Sequence, residues 1–386
     1  MTKFSTSSFP QSKTCCASLT SCFGCADPQR VLSPSTYTDV KNFFNSSAPD
    51  IKVPLIHNEI LGWRTRAKLA VRGTYEEPEI GLFQQGTHQV VCLPHCPLHH
   101  PAINRAYNFV YDTMKQMRIP PYIEKTHSGL VRYLQFVVER KSRRVQLTLV
   151  VTREDPLLEK WVKQLYNEGG FHSIWLNVQS AATNTIFGNR WKFLMGESYV
   201  EEKIADVLFY FHPACFMQAH LSLFEKLVRS VQQNILKDST VIDLYAGVGV
   251  IGLNCAKQNQ SVTCLEYSPF AEECFTLSLL KCAPEIQKKA LFVQGPVEKS
   301  LSVIHKAEVI IVDPPRKGLD AQVLKAMMDS TQAQQIIYIS CNPFSFFRDS
   351  AALLEKGWKI TTAETYLLFP GSDHVEVLCI FKKESG

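Results

Sequence analysis

Hydrophobic and polar positions follow two rhythms along the chain, and the change falls near Glu201. Before it, short segments alternate like half-buried strands, notably Arg66 to Arg72 and, after a Glu-Glu-Pro turn, Ile80 to Phe83. Ile103, Tyr107, Val110, Met114 and Met117 recur at helical spacing, which predicts a helix over Pro101 to Met117 with that stripe turned to the core. Val131 to Val138 and Val145 to Val151, joined by a basic cluster, predict a hairpin. Leu157 to Asn167 predicts a helix, and Ser173 to Gln179 and Trp191 to Leu194 predict further strands. Past Glu201, buried apolar runs alternate with helical patterns. They are the helix Ser222 to Leu236, the strands Val241 to Leu244, Val262 to Leu265, Val309 to Val312 and Ile336 to Ile339, and a terminal antiparallel pair, Trp358 to Leu367 with Val375 to Lys382. The pattern describes an α/β protein in three parts. A cysteine-rich segment and arm with one short helix covers residues 1–50, a central, mainly antiparallel α+β domain covers 51–200, and a doubly wound parallel sheet covers 201–386.

Composition changes this picture only a little. No apolar run approaches the roughly 18 to 20 residues of a membrane span, and no apolar stretch follows Met1, so the expectation is a cytoplasmic protein without membrane contact. Residues 1–26 lack Asp and Glu and are rich in Ser and Thr, which supports plastid or mitochondrial import as a minority reading, but they also lack Arg. The net charge of +5 decides little, whereas its concentration in Trp63-Arg64-Thr65-Arg66-Ala67-Lys68 and Arg140-Lys141-Ser142-Arg143-Arg144 suggests a face for a polyanion. The competing reading of each cluster is a solvated strand edge or hairpin tip. Thirteen cysteines without a secretory signal argue for metal binding or thiol chemistry rather than a disulfide framework.

Among those cysteines Cys341 stands out, because it follows the strand Ile336 to Ile339 and precedes Asn342-Pro343, which cannot continue a central ladder. The carboxyl ends of strands in an open α/β sheet face the ligand crevice, so a thiol there points at substrate; an inert packing thiol is the alternative. Val241 to Leu244 runs into Tyr245-Ala246-Gly247-Val248-Gly249-Val250-Ile251-Gly252, a turn that lets a ligand approach the backbone. Glu266 ends the next strand about twenty residues later, where a carboxylate takes ribose hydroxyls. A glycine turn with a distal acid serves dehydrogenases and adenosylmethionine enzymes alike. The rigid acidic turn Asp313-Pro314-Pro315-Arg316 lies at the same sheet edge, where a planar base can be held against it. Near the start, Cys16, Cys22 and Cys25 form a C-x5-C-x2-C pattern, with Cys92 and Cys96 as candidates for a fourth thiolate. The spacing suits an iron–sulfur cluster, a closed zinc site or a set of small buried thiols.

Taken in order, several groups of residues resemble the RNA 5-methyluridine methyltransferases, which use S-adenosylmethionine. They are Cys16, Cys22 and Cys25, Cys96 in Cys-Pro-Leu, Phe216-Met217-Gln218, Asp243-Leu244-Tyr245-Ala246-Gly247, Glu266, Asp313-Pro314-Pro315-Arg316, Ser340-Cys341-Asn342-Pro343 and His374-Val375-Glu376. The resemblance covers nearly the whole chain and looks strongest to the branch without an N-terminal RNA-binding barrel, which includes ribosomal RNA enzymes. His220 stands where the family usually has Asn, and Ala246 where it often has Cys. The resemblance implies a seven-stranded Rossmann-like methyltransferase sheet, with cofactor contacts from Gln218, Tyr245, Gly247, Glu266 and Asp313. It further implies a 4Fe-4S cluster on Cys16, Cys22, Cys25 and Cys96, with Cys15 and Cys92 as bystanders, in a monomer that acts on RNA, ribosomal RNA before tRNA.

Uracil carbon 5 attacks a methyl group only after a thiolate adds to carbon 6, and Cys341 is the thiol suited to that. The carbon 5 proton must then leave to a base, which the resemblance assigns to Glu376. Read without the family, Glu376 is an exposed strand carboxylate. The target base must leave its stack, and Phe344, Phe346 and Phe347 are candidates either to stack on it or to pack the core. A nicotinamide-dependent dehydrogenase would leave Cys341, Asp313-Pro314-Pro315 and the four cysteines without a role. A non-catalytic RNA-binding protein would not need both nucleophile and base. Closer rivals are methylation of cytosine carbon 5, which also needs a cysteine adduct, and of an exocyclic amine, which needs none.

Overall fold

A computed structural model of the chain describes Cys22, Gly24, Cys25 and residues 31–383. These form two compact units, one holding Glu59–Val200 with Cys22, Gly24 and Cys25, the other holding Leu32–Asn58 with the chain from Glu201 onward. Among the described residues no helix is long and apolar enough to cross a membrane.

The first unit is built on a seven-stranded sheet among the described residues. Its order is Val90–Cys92, Pro78–Phe83, Arg66–Gly73, Val131–Val138, Val145–Val151, Ser173–Val178, Arg190–Gly196. Neighbours are antiparallel except Val145–Val151 with Ser173–Val178, which the helix Leu157–Gly169 joins as a crossover. The two strands of the predicted hairpin are buried along their whole length, which explains why they read as apolar runs rather than as alternation. The helix Pro101–Gln116 starts where its sequence says: Pro101 suits a first turn, and the His100 ring accepts the Ala102 N–H at 3.2 Å.

The Trp63 to Lys68 segment departs from both of its sequence readings. Arg66–Gly73 is an interior strand with a neighbour on each side, and Arg66 is buried, its guanidinium donating to Gln135 Oε1 at 2.9 Å. Lys68 lies 4.6 Å from the Phe187 ring centre, and burial, helped by Arg66, pulls its pKa down to about 8. Neither an open basic face nor a solvated edge is present there. Lys141, Arg143 and Arg144, by contrast, are exposed at the hairpin turn.

The second unit carries an eight-stranded sheet among the described residues. Its order is Leu55–Ile56, Trp358–Tyr366, Glu376–Lys383, Gln335–Ser340, Val309–Val312, Thr240–Leu244, Ser261–Glu266, Ala290–Gln294. From Gln335–Ser340 to Ala290–Gln294 all neighbours are parallel, while Glu376–Lys383 runs antiparallel to both of its neighbours. This matches the expected seven-stranded Rossmann-like sheet, extended by an eighth strand. Leu55–Ile56 adds to the edge in parallel with Thr365 and Tyr366. A two-residue strand carries no periodicity, so the pattern gave no warning of it.

The arm is thereby part of this unit. Its helix Ser35–Ser47 buries Val40 and Phe44 in one core with Ile336, Tyr338, Phe346 and Val377. Phe346 is fully buried and Phe347 stacks on Phe43 with ring centres 4.6 Å apart, so two of the three phenylalanines pack. Phe344 instead is 61% exposed. The short strand Val90–Cys92, the hairpin Val200–Ile204 with Val207–Phe211 and the edge strand Ala290–Gln294 are further strands that the pattern did not announce.

Candidate active site

Strand order reverses between Thr240–Leu244 and Val309–Val312, and at such a switch point the carboxyl ends of the strands open a crevice. Leu244 pairs with Leu265 and with Val312, and Val312 with Tyr338. The next residue along three neighbouring strands is then Glu266, Tyr245 and Asp313, all at one level of the sheet. Ser340 pairs with Val377, so one step further Cys341 comes opposite Glu376 across the antiparallel pair. The sheet register thus lines up residues that lie far apart in sequence.

Gln218, Tyr245, Gly247 and Asp313 line one pocket together with Phe216 and Asp243. Two buried acceptors of that wall, Gln218 Oε1 and Asp243 Oδ1, have no hydrogen-bond partner among the described residues, a condition that folded proteins rarely leave unanswered. Glu266 stands at the glycine turn, its carboxylate accepting the Gly247 N–H at 3.1 Å and the Ser268 N–H at 2.8 Å. Tyr245 adopts φ +61°, a conformation that a tyrosine holds only under constraint. Gly249, at φ +79°, has no room for a side chain, since a Cβ there would meet Phe275 at 2.5 Å. Burial pushes the Asp243 carboxyl up to about 7 against a bond from the Gly252 N–H, and Asp313 and Glu266 push the same way. Burial and then Glu266 raise Asp313 to about 7 as well.

Cys341 is half-buried at the end of its strand. Asn342 caps the following helix, Pro343–Glu355: its Oδ1 accepts the Phe344 N–H at 3.3 Å while its Nδ2 donates to the Arg316 carbonyl at 2.8 Å. The Arg316 guanidinium reaches His374 Nε2 at 3.5 Å. Glu376 is 3% exposed, so the reading of an exposed strand carboxylate does not hold. Burial, then Glu376 and Asp313, push the Cys341 thiol up to about 11, and burial and Asp313 push Glu376 well above the usual carboxylate range. Arg316 opposes both shifts.

The acidic turn is itself anchored to the Cys341 helix. The buried Asp349 carboxylate accepts the Leu319 N–H at 2.9 Å and the Tyr338 hydroxyl at 2.8 Å, and pairs with Arg348 at 2.7 Å. Gly318, at φ +81°, permits this approach, because a Cβ would come within 2.6 Å of Arg348 Nη2. Arg316 and Asp243 stand inside sequence motifs that assign them no role, Asn342 is legible there only as a strand end, and Asp349 is not singled out. The signal for Asp349 is weak, a single acid inside an otherwise apolar helix face.

Residues 299–384, which carry Cys341 and Glu376, match the family model for tRNA (uracil-5-)-methyltransferases. A protein of Protochlamydia amoebophila strain UWE25, named as an uncharacterized RNA methyltransferase, is 38% identical over 387 residues, covering 97% of this chain and 100% of its own. The chain belongs to the RNA (uracil-5) methyltransferase family. A likewise named protein of Lactobacillus johnsonii is 31% identical over 333 residues, 84% of this chain and 73% of its own. Among solved structures, the Pyrococcus abyssi tRNA (uracil-54, C5)-methyltransferase in complex with S-adenosyl-L-homocysteine shares the fold, with a TM-score of 0.71 at 24% identity over 88% of this chain and 81% of that one.

S-adenosylmethionine is the methyl donor of this RNA methyltransferase family, and the pocket suits it. The cofactor brings amine and hydroxyl donors for the two unpartnered acceptors, and positive charge for the crowded carboxyls Asp243, Asp313 and Glu266.

In the first unit, Cys22, Cys25 and Cys96 line one cavity with Arg64 and His99, and the Gly24 N–H donates to Cys22 Sγ at 3.4 Å. Cys92 is exposed on its strand and does not line it, so the structure separates the two candidates for the fourth thiolate. Burial lowers the pKa of Arg64, and the three surrounding thiol groups oppose that shift. Among the described residues no group of three or more His, Cys, Asp or Glu side chains is drawn tightly enough to hold a metal ion. Cys16, the remaining member of the set, and Cys15 lie outside the described residues. Three thiols around one small cavity are nevertheless the donor chemistry that an iron–sulfur cluster requires.

Proposed function

We propose that this RNA methyltransferase methylates carbon 5 of a uridine in ribosomal RNA, through a covalent bond from Cys341 to carbon 6 and with Glu376 as the base. The observation that carries the reading is the register that sets Cys341 opposite Glu376, with Asp313 following the neighbouring strand Val309–Val312 and lining the cofactor pocket together with the unpartnered acceptors of Asp243 and Gln218. Ribosomal RNA before tRNA is the substrate that the family resemblance of the sequence implies.

Cys341 Sγ forms a bond to carbon 6, and the electron pair of the carbon 5–carbon 6 double bond moves toward the carbonyl at carbon 4. Carbon 5 becomes an enolate carbon. Carbon 5 forms its bond to the electrophilic methyl group that S-adenosylmethionine would supply, and the methyl–sulfur bond breaks with its electron pair staying on sulfur. Glu376 then takes the proton from carbon 5, the double bond re-forms, and the bond to Sγ breaks to return the thiolate. A carboxylate raised by burial is a stronger proton acceptor than a surface glutamate, which suits that step. Arg316, which opposes the upward shift of Cys341, favours the thiolate needed to begin.

The unit containing Glu59–Val200 is the RNA-binding part in this reading, its exposed hairpin turn at Arg140 to Arg144 meeting phosphates. Phe344, exposed three residues beyond Cys341, stacks on a nucleobase beside the target. Cys16, Cys22, Cys25 and Cys96 hold a 4Fe-4S cluster whose role is structural. The test is methylation of ribosomal RNA and tRNA by the purified protein, with nucleosides read by mass spectrometry. Protein that forms 5-methyluridine in ribosomal RNA, and loses this on Cys341→Ala, supports the reading. Product at another base, or in tRNA alone, contradicts it.

A further inference from the structure

Glu376 is the first residue of its strand, and among the described residues the chain just before it pairs with no strand, although Val375 is buried in the core. End residues of strands are where pairing opens most readily. In this chain a segment from far away in sequence takes hold of that end. Asp373, exposed and three residues before Glu376, accepts the Ser35 hydroxyl at 2.5 Å on one carboxylate oxygen and the Thr36 N–H at 3.3 Å on the other. The Thr36 hydroxyl also donates to the Asp373 carbonyl. These bonds occupy the first turn of the helix Ser35–Ser47, whose own preceding residue, Pro34, supplies no side-chain cap. Negative charge at the start of a helix is favourable, so the carboxylate and the helix hold each other. Burial pushes the Asp373 carboxyl up, but the bonds from Ser35 and Thr36 outweigh it and hold it below the ordinary value.

The same helix has a second anchor on the nucleophile's side. Phe43 stacks on Phe347, and Phe44 lies 6.0 Å from Phe346, both on the helix that begins two residues after Cys341. A third anchor is the strand Leu55–Ile56, beside Thr365 and Tyr366, and Tyr366 pairs with Glu376. One short arm therefore touches the element that follows Cys341, the loop before Glu376 and the strand beside Glu376. His374, next to Asp373, also meets Arg316, the cation that acts on both reacting groups.

We propose that the arm helix is a clamp on the catalytic base, and that Asp373, through Ser35 and Thr36, is a positioning residue for Glu376. This rests on the proposed roles of Cys341 and Glu376. Since Glu376 acts only after the methyl group has moved, loosening the clamp slows release of the methylated RNA more than it slows formation of the adduct. A purely structural role would reduce both together.

The experiment compares wild type, Asp373→Ala, and the double variant Ser35→Ala with Thr36→Val, using substrate RNA and S-adenosylmethionine. Two quantities are read: 5-methyluridine formed per minute, and the fraction of protein covalently joined to RNA on a denaturing gel. Each variant should turn over about ten- to a hundredfold more slowly and accumulate adduct that the wild type does not, because small misplacement of a reacting group costs that much. Asp373→Glu should restore part of the rate. Combining Asp373→Ala with Ser35→Ala should add little, since both remove the same bond from the Ser35 hydroxyl to the Asp373 carboxylate. Asp373→Ala that turns over like the wild type, or that slows without accumulating adduct, overturns the clamp. Wild-type protein that forms neither adduct nor 5-methyluridine would instead overturn the underlying mechanism.

Discussion

Cys341 and Glu376 stand opposite one another, one position beyond the Ser340–Val377 pair of the antiparallel strands Gln335–Ser340 and Glu376–Lys383. Doubly wound sheets often carry an antiparallel strand toward one edge, and here that strand brings two ends of chain to one edge from opposite directions. A parallel strand in that place would carry its carboxyl end, rather than its start, to the crevice.

Removing the base should separate bond formation from release. Glu376→Gln is expected to lower turnover by about a hundred- to ten-thousandfold while retaining adduct formation. Denaturing gels should show RNA-bound protein for Glu376→Gln and none for Cys341→Ala.

Acidity should limit the first step. With the Cys341 thiol pushed up to about 11, the reactive thiolate is a minor species at neutral pH. Single-turnover adduct formation should rise by about tenfold per pH unit from neutral into alkaline buffer, as long as the thiol remains mostly protonated. Arg316→Gln, which removes the cation opposing that shift, should move the curve to higher pH.

The carboxyls of the cofactor pocket make stability depend on pH. Asp243 and Asp313 are raised from 3.8 to about 7, so the fold favours their neutral forms. Their contribution is complete below the ordinary carboxylate value and is lost as pH rises through about 7. The melting temperature of the ligand-free protein should fall by several degrees across that range, and Asp313→Asn should flatten the dependence. S-adenosylmethionine, with its positive charge, should reduce the fall more than S-adenosylhomocysteine does.

Gly318→Ala should disturb the anchor between the acidic turn and the Cys341 helix. The left-handed backbone alone costs a non-glycine residue about 1–2 kcal/mol, before the approach to Arg348 is counted. A lower melting temperature and a lower kcat/KM are expected together.

The cysteine assignments divide cleanly by variant. Cys96→Ser should strip iron, sulfide and visible absorbance from anaerobically purified protein, whereas Cys92→Ser, at an exposed position outside the cavity, should keep them.

Much of the fold and the site was legible in the sequence because it depends on local pattern. Buried strands such as Val309–Val312 are apolar runs closed by turn residues, and the acids that follow them must lie at the crevice edge. What stayed hidden depends on distant partners. The burial of Arg66 and the partial burial of Lys68 follow from the neighbours of an interior strand, which alternation along one strand cannot reveal. Leu55–Ile56 is too short for any period, and the grip of Ser35 and Thr36 on Asp373 joins residues more than three hundred positions apart. Spacing does not distinguish Cys92 from Cys96, whereas the fold places only Cys96 on the cavity that Cys22 and Cys25 line.

The most direct test of the covalent mechanism replaces the target uridine with 5-fluorouridine. Fluorine at carbon 5 cannot leave as a proton does, so Glu376 has nothing to remove once the methyl group has moved and the adduct must persist. Tryptic mass spectrometry after incubation with such RNA and S-adenosylmethionine should find a methylated fluorouridine nucleotide on the peptide containing Cys341. Attachment at another residue, or methylation of ordinary uridine with no trapped species from the fluorinated RNA, would contradict the account.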